Sequence, residues 1–158
     1  MPKLRVKLRV NGVEHEVEVG GGERLIDTLR NRLGLKSIKE GCSTGDCGTC
    51  TILMDGEPVN SCIILTVQAN GREIMTLEGI GRPGNPHPLQ ITFAELAATQ
   101  CGYCIPGIIM AAKSLLDRNP NPSREEVRWM LAGHLCRCTG YNRIVEAVLE
   151  AARILRTR

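Results

Sequence analysis

The 158-residue chain has little aromatic content: one Phe, two Tyr and one Trp. They are Phe93, Tyr103, Trp129 and Tyr141. Aliphatic residues must therefore fill any core, and if the chain divides into two small domains each core is thin. Domains of that size commonly need a metal or a covalent staple. No apolar run approaches the ~20 residues of a membrane-spanning helix. The first ten residues, MPKLRVKLRV, alternate basic and apolar side chains instead of supplying the continuous apolar segment of a secretory signal. The expectation is a cytoplasmic protein with no membrane span. Strong charge of one sign is also missing. A net charge of +3, with the basic residues scattered, gives nucleic acid no electrostatic footprint. No aromatic-rich strand accompanies those residues as a platform for bases.

Cysteine is the residue present in excess. Eight in 158 residues falls below the roughly 8–10% that marks a disulfide scaffold. In a reducing compartment, clustered cysteines point to metal ligation or catalysis.

The spacing of apolar residues changes partway along the chain. Leu4, Val6, Leu8 and Val10 alternate with charged residues, Asn11-Gly12 supplies a hairpin turn, and Val13, His15, Val17 and Val19 alternate on the return. Residues 24–33 take a helical period, with Leu25, Leu29 and Leu33 on one face and Gly34 as the stop. Thr51–Met54 and Pro58–Ile64 read as short strands around Asp55-Gly56. The stretch 79–88, with Gly79, Gly81 and Gly84 among Pro83, Pro86 and Pro88, reads as a linker. Beyond it the period is helical. Pro88 starts a helix with Leu89, Phe93 and Leu96 on one face. Pro106 opens a second, buried through Ile108, Ala111, Ala112, Leu115 and Leu116. Ser123 and Glu126 form a capping box for a third, carrying Val127, Met130 and Leu131 and closed by Gly133. A fourth runs from about Tyr141, with Ile144, Val148, Ala151 and Leu155 facing inward. The expected organisation is α+β: residues 1–78, the linker 79–88, and a four-helix bundle over 89–158.

The cysteines fall into two quartets. Cys42, Cys47, Cys50 and Cys62 have the spacing C-x4-C-x2-C-x11-C, and the first three follow the plant-type ferredoxin run. Small residues between them (Ser43, Thr44, Gly45, Asp46, Gly48, Thr49) let the backbone wrap closely and turn N–H groups toward a 2Fe–2S cluster. The alternative is a zinc site of four cysteines. Zinc favours paired knuckles two to four residues apart, a rule Cys50 and Cys62 break. Cys101, Cys104, Cys136 and Cys138 form the second quartet, a C-x2-C and a C-x-C each at a helix boundary. Helix N-termini present free N–H groups and a positive dipole end to an anionic cluster. His134 lies beside this quartet, but four thiolates already complete the site, so it reads as a surface or supporting residue. His15 and His87 read as strand and linker residues without partners. Arg137, between two ligands, reads equally as a solvated arginine or a contributor to cluster charge. Met110 and Met130 read as core filler.

In order, EGCSTGDCGTC, HPLQ, QCGYCIPG and LCRCTGYNRI resemble the iron–sulfur subunit of the molybdenum hydroxylases, the family of xanthine dehydrogenase, aldehyde oxidoreductase, carbon monoxide dehydrogenase and hydroxybenzoyl-CoA reductase. The resemblance runs from the first strand to the last helix. It implies an N-terminal β-grasp, ferredoxin-like domain followed by a C-terminal four-helix-bundle 2Fe–2S domain. It also implies two 2Fe–2S clusters, a large partner subunit holding molybdopterin and molybdenum, and commonly an FAD subunit. By the same resemblance the Cys101, Cys104, Cys136, Cys138 cluster is proximal to molybdenum, and Gln100 and Cys138 contact the pterin. The Cys42, Cys47, Cys50, Cys62 cluster is distal, passing electrons toward the flavin. Substrate chemistry then lies off this chain, with no catalytic residue on it. Ser43, Thr49 and His134 depart from the family's commonest residues. A free-standing two-cluster ferredoxin remains the alternative.

Overall fold

A computed structural model describes residues 2–157. Five strands, β1 (Lys3–Val10), β2 (Val13–Gly20), β3 (Thr51–Met54), β4 (Glu57–Asn60) and β5 (Glu73–Met75), form one sheet in the order β2-β1-β5-β3-β4. β1 and β5 run parallel and the other pairs antiparallel. Asn11 and Gly12 both take positive φ, 52° and 81°, the turn that matches a two-residue hairpin. On the solvent face of that hairpin Arg5 opposes Glu18, Lys7 opposes Glu16 and Arg9 opposes Glu14. Opposite charges in direct register contribute roughly 0.2–1 kcal/mol each. The other face buries Val6, Leu8, Val10 and Val19, while Leu4 and Val13 at the strand starts stay exposed.

Among the described residues, six α-helical segments and a 3-10 turn at Thr66–Ala69 accompany the sheet. The first, α1 (Leu25–Asp27), departs from the helix expected over 24–33. It widens into a π turn over Thr28–Arg32, where Leu33 N bonds Thr28 O at 3.1 Å. Thr28 is pinned there by its hydroxyl, 2.8 Å from both Glu23 Oε1 and Thr66 Oγ1. The strand expected over Pro58–Ile64 stops at Asn60. The chain turns inward there because Ser61 donates from both N (3.3 Å) and Oγ (2.8 Å) to Cys50 O, which carries Cys62 toward Cys50.

The other segments are α2 (Leu77–Ile80), α3 (Pro88–Glu95), α4 (Ile105–Arg118), α5 (Arg124–Leu131) and α6 (Asn142–Arg156). Ser123 caps α5 reciprocally with Glu126, as the sequence motif requires. His87, expected to have no partner, instead caps α3: its Nδ1 accepts from Leu89 N at 3.2 Å. Two separate apolar cores result. One lies under the sheet around Leu8, Leu25, Leu29, Ile52 and Ile74. The other lies among the helices around Phe93, Ile108, Val127, Ile144 and Val148.

The residues leading into the stretch 79–88 tie the two cores together. Thr76 N donates to Asn11 Oδ1 at 2.9 Å, Glu78 accepts from Ser37, and Leu77 and Ile80 pack on the helical core. The halves meet directly along β3 and α4. Ser114 Oγ donates to Gly56 O at 3.0 Å, and Gly107 in the first turn of α4 abuts the Gly48 backbone. A Cβ on Gly107 would run into the Gly48 carbonyl oxygen. Gly107→Ala should therefore destabilise the chain by about 1–3 kcal/mol, the usual cost of overpacking a filled site. Thermal denaturation should show a midpoint lowered by roughly 2–4 °C per kcal/mol, whereas Gly22→Ala, whose Cβ meets nothing and whose backbone is not left-handed, should leave the midpoint nearly unchanged.

Candidate metal centres

Cys42, Cys47 and Cys50 of the first quartet sit on the loop between α1 and β3, held by a set of ion pairs, and Cys62 follows β4. Arg24 donates to Asp27 at 2.8 and 3.0 Å and to Glu40 at 2.6 Å, and Glu40 in turn accepts from Ser43 Oγ at 2.6 Å. Arg30 holds the Ile38 carbonyl. Ser43, Gly45 and Gly48 take φ of 60°, 88° and 72°, so the chain curls around the thiols. The curl turns the Thr44 and Cys47 amides onto Cys42 Sγ, each at 3.4 Å. Hydrogen bonding by Thr44, joined by Cys47, brings the Cys42 thiol down to about 5. Thr49 Oγ1 lies 3.2 Å from Cys47 Sγ. Cys50 and Cys62 form the inner side of the site, and burial pushes Cys62 up to about 12, with the adjoining Cys50 acting in the same direction.

The second quartet sits at two helix entries. Cys104 is the residue on which α4 begins, and burial pushes its thiol up to about 12, with Cys136 adding to the effect. Burial also opposes ionisation of Cys136, but the Thr139 hydroxyl, 3.1 Å from its sulfur, and the Thr139 amide outweigh it and the net shift is downward. Cys101 and Cys138 are exposed, their sulfurs 3.6 Å apart. The mutual contact raises the Cys138 thiol.

All eight cysteines are free thiols, meeting as the pairs Cys50–Cys62, Cys104–Cys136 and Cys101–Cys138, with Cys42 held by the Cys47 amide. Among the described residues, no three His, Cys, Asp or Glu side chains close on one single-ion position. Each quartet is a set of four soft donors with N–H or O–H groups directed at the sulfurs. That donor chemistry fits a 2Fe–2S cluster, whose charge and potential depend on such hydrogen bonds.

Other residues take defined places. Gln100 is exposed beside exposed Cys101 and Cys138. Arg137 is exposed, Met110 buried and Met130 half-buried. His134 is buried and so is not the surface residue that the sequence allowed, and burial lowers its imidazole below the usual value. Two tyrosines go beyond the sequence reading. Tyr103, inside the C-x2-C pair, donates through its hydroxyl to Glu40 O at 2.6 Å and so ties the second cysteine loop to the first. Tyr141, in a left-handed conformation (φ 68°), accepts the Cys136 amide on its hydroxyl at 2.8 Å. A tyrosine close to each cysteine pair was the available signal, in a chain with so few aromatics.

Fold and site together define the class, a protein with one 2Fe–2S domain on each half of the chain. The family description "2Fe-2S iron-sulfur cluster binding domain" matches residues 8–73, and "[2Fe-2S] binding domain" matches residues 76–149. The chain is 48% identical over 151 residues to the nicotinate dehydrogenase small FeS subunit of Eubacterium barkeri, covering 96% of each. A chain of quinoline 2-oxidoreductase from Pseudomonas putida 86 superposes with a TM-score of 0.93 at 42% identity, over 98% of this chain and 97% of that one. Aldehyde oxidoreductase from Desulfovibrio desulfuricans ATCC 27774 superposes at 0.94 with 46% identity, over 97% of this chain but 17% of its own. The chain belongs to the family of small iron–sulfur subunits of molybdenum-dependent dehydrogenases and oxidoreductases, and its role is electron transfer within such an enzyme.

The thiol environments predict an order of reactivity in the metal-free chain. At neutral pH Cys42, already a thiolate, should be alkylated first, and Cys62 and Cys104 last. Timed iodoacetamide labelling read by peptide mass spectrometry checks the order, and labelling of Cys62 ahead of Cys42 contradicts it.

Proposed function

We propose that Cys42, Cys47, Cys50 and Cys62 ligate one 2Fe–2S cluster and Cys101, Cys104, Cys136 and Cys138 the other. The first lies in a β-grasp, ferredoxin-like domain (residues 1–78). The second lies in a four-helix bundle (89–158), with 79–88 joining them. When bound, each cluster stores and releases a single electron without making or breaking bonds to substrate. The chain's residues supply the rest: thiolate ligands, amide and hydroxyl donors to the sulfurs, and a fixed relation between the two sites.

The observation that carries the orientation is the joint exposure of Gln100, Cys101 and Cys138. A ligand sulfur left open beside an amide side chain offers both an electron exit and a hydrogen-bonding edge. In this reading Gln100 and Cys138 meet the molybdopterin of a large catalytic subunit, which makes this site the proximal one. That the chain corresponds to 17% of an aldehyde oxidoreductase chain supports a catalytic portion several times larger than this one. The Cys42 quartet is distal and delivers electrons to an FAD subunit or another acceptor, in a cytoplasmic heterotrimer.

Two measurements test this. The purified chain should hold about four irons and four inorganic sulfides and, reduced, give two distinct EPR signals. Stoichiometric zinc without labile sulfide would end the reading. In the assembled enzyme, Cys47→Ala should leave substrate able to reduce molybdenum and the Cys101 site in a rapid-mixing experiment, while steady-state turnover with the external acceptor collapses. Normal turnover with a Cys101 site that substrate never reduces would reverse the order. Purification without a large partner chain would favour a free-standing ferredoxin.

A further inference from the structure

The two cysteine quartets are fastened to each other at one short stretch of backbone. Leu135 N, one residue before Cys136, donates to Cys47 O at 3.0 Å. Beside this bond, Thr51 Oγ1, one residue after Cys50, lies 3.0 Å from His134 Nε2, two residues before Cys136. The same Thr51 hydroxyl lies 2.8 Å from Gly48 O, and which of Thr51 and His134 donates in their contact follows the imidazole tautomer. The imidazole packs against the Gly48 backbone closely enough that a Cβ there would strike its ring, and its Nδ1 lies 3.3 Å from Met130 O at the end of α5. Both residues are buried, Thr51 at 4% and His134 at 8% exposure. Neither is a thiol, and besides its contacts with Gly48 O and Asn60 Oδ1 in its own half, Thr51 reaches His134 in the other. The bond between them runs from one quartet to the other.

We propose that the Thr51–His134 hydrogen bond is a positioning device that sets the separation and relative orientation of the two iron–sulfur sites. Thr51 begins β3, paired with Asn60, and His134 lies on the segment that leaves α5 for the C-x-C pair. Each is a short, well-packed step from its own quartet, so the bond transmits the placement of one site to the other. The Leu135–Cys47 bond shares this register, and the Thr51–His134 bond is the side-chain clamp beside it. Tyr103 binds Glu40 at a different point of the first loop, so the two loops stay joined when the Thr51–His134 bond is removed, in an altered relation.

The inference rests on the assignment of one 2Fe–2S cluster to each quartet, and the test separates the two claims. The full cluster-loaded chain is reduced at both sites, and the mutual splitting of the two EPR signals is read. Magnetic interaction between two reduced centres depends steeply on their separation and on their orientation. Iron and sulfide are counted on the same samples. Thr51→Val keeps the branched shape and removes the hydroxyl, His134→Ala removes the imidazole, and Thr51→Ser restores the hydroxyl. Both disruptive variants should keep four irons and show a shifted or abolished splitting, and Thr51→Ser should return the wild-type spectrum. Wild-type splitting in Thr51→Val and His134→Ala overturns the proposal. So does iron loss from Thr51→Val, which would make the pair a support of one site alone. Absence of any splitting in the wild-type chain also overturns it. Fewer than four irons in the wild-type chain instead defeats the cluster assignment.

Discussion

The approach of Gly107 to the Gly48 carbonyl is the packing constraint on which the remaining arrangement depends. Gly48 lies between Cys47 and Cys50, and Gly107 lies in the turn that begins at Cys104. That approach leaves no room for a side chain on Gly107, and a Cβ on Gly48 would strike Gly133 O and the His134 ring. It brings the α4 entry and the first cysteine loop into one layer, and the thiols of both quartets follow. Neither apolar core reaches across this line: the sheet core ends at Cys50 and Cys62, and the helical core ends at Cys104 and Cys136. The cysteines thus occupy the margin where two small cores face each other, a place where packing alone supplies little stability and ligation has most to add.

Within that margin each quartet has an inner and an outer side. Cys50, Cys62 and Cys104 are buried, while Cys101 and Cys138 face solvent. Burial holds Cys62 and Cys104 protonated in the metal-free chain, whereas hydrogen bonding to Cys42 favours its thiolate. Metal must displace protons from the buried thiols, so binding is linked to pH and strengthens as pH rises toward the range where those thiols ionise. The outer sulfurs are the ones a partner can approach. The inner ones lie in their own cores, and the amide of Leu135 and the carbonyl of Cys47 join the two loops. An asymmetric pair of sites, open outward and joined inward, is what a relay between partners requires.

Much of this was legible in the residues. The period-two runs around Asn11-Gly12, the Ser123–Glu126 capping box and the buried stripe of α4 all depend on neighbours a few positions apart, and all appear in the structure. Where a long-range interaction intervened, the local reading slipped. The helix after Arg24 widens because Thr66, far along the chain, binds Thr28. The run through Ile64 stops at Asn60 because Ser61 is drawn to the Cys50 carbonyl. His87, read as a linker residue, caps α3 because the chain enters that helix in an extended conformation at His87 (φ −67°, ψ 146°). Tyr103 and Tyr141 hold the cysteine loops through hydroxyls whose partners no spacing rule names.

By itself, then, the sequence determined the donor set, eight thiols grouped in two quartets, and the two kinds of secondary structure that bear them. Both are local properties, set by residue type, period and turn. Tertiary structure alone decided how the sets lie relative to each other. A glycine- and proline-rich stretch between two independent cores is compatible with many arrangements. One is selected because Gly48 admits Gly107, His134 reaches Thr51 and Tyr103 reaches Glu40, pairings between residues remote in the chain that form only once both halves have folded.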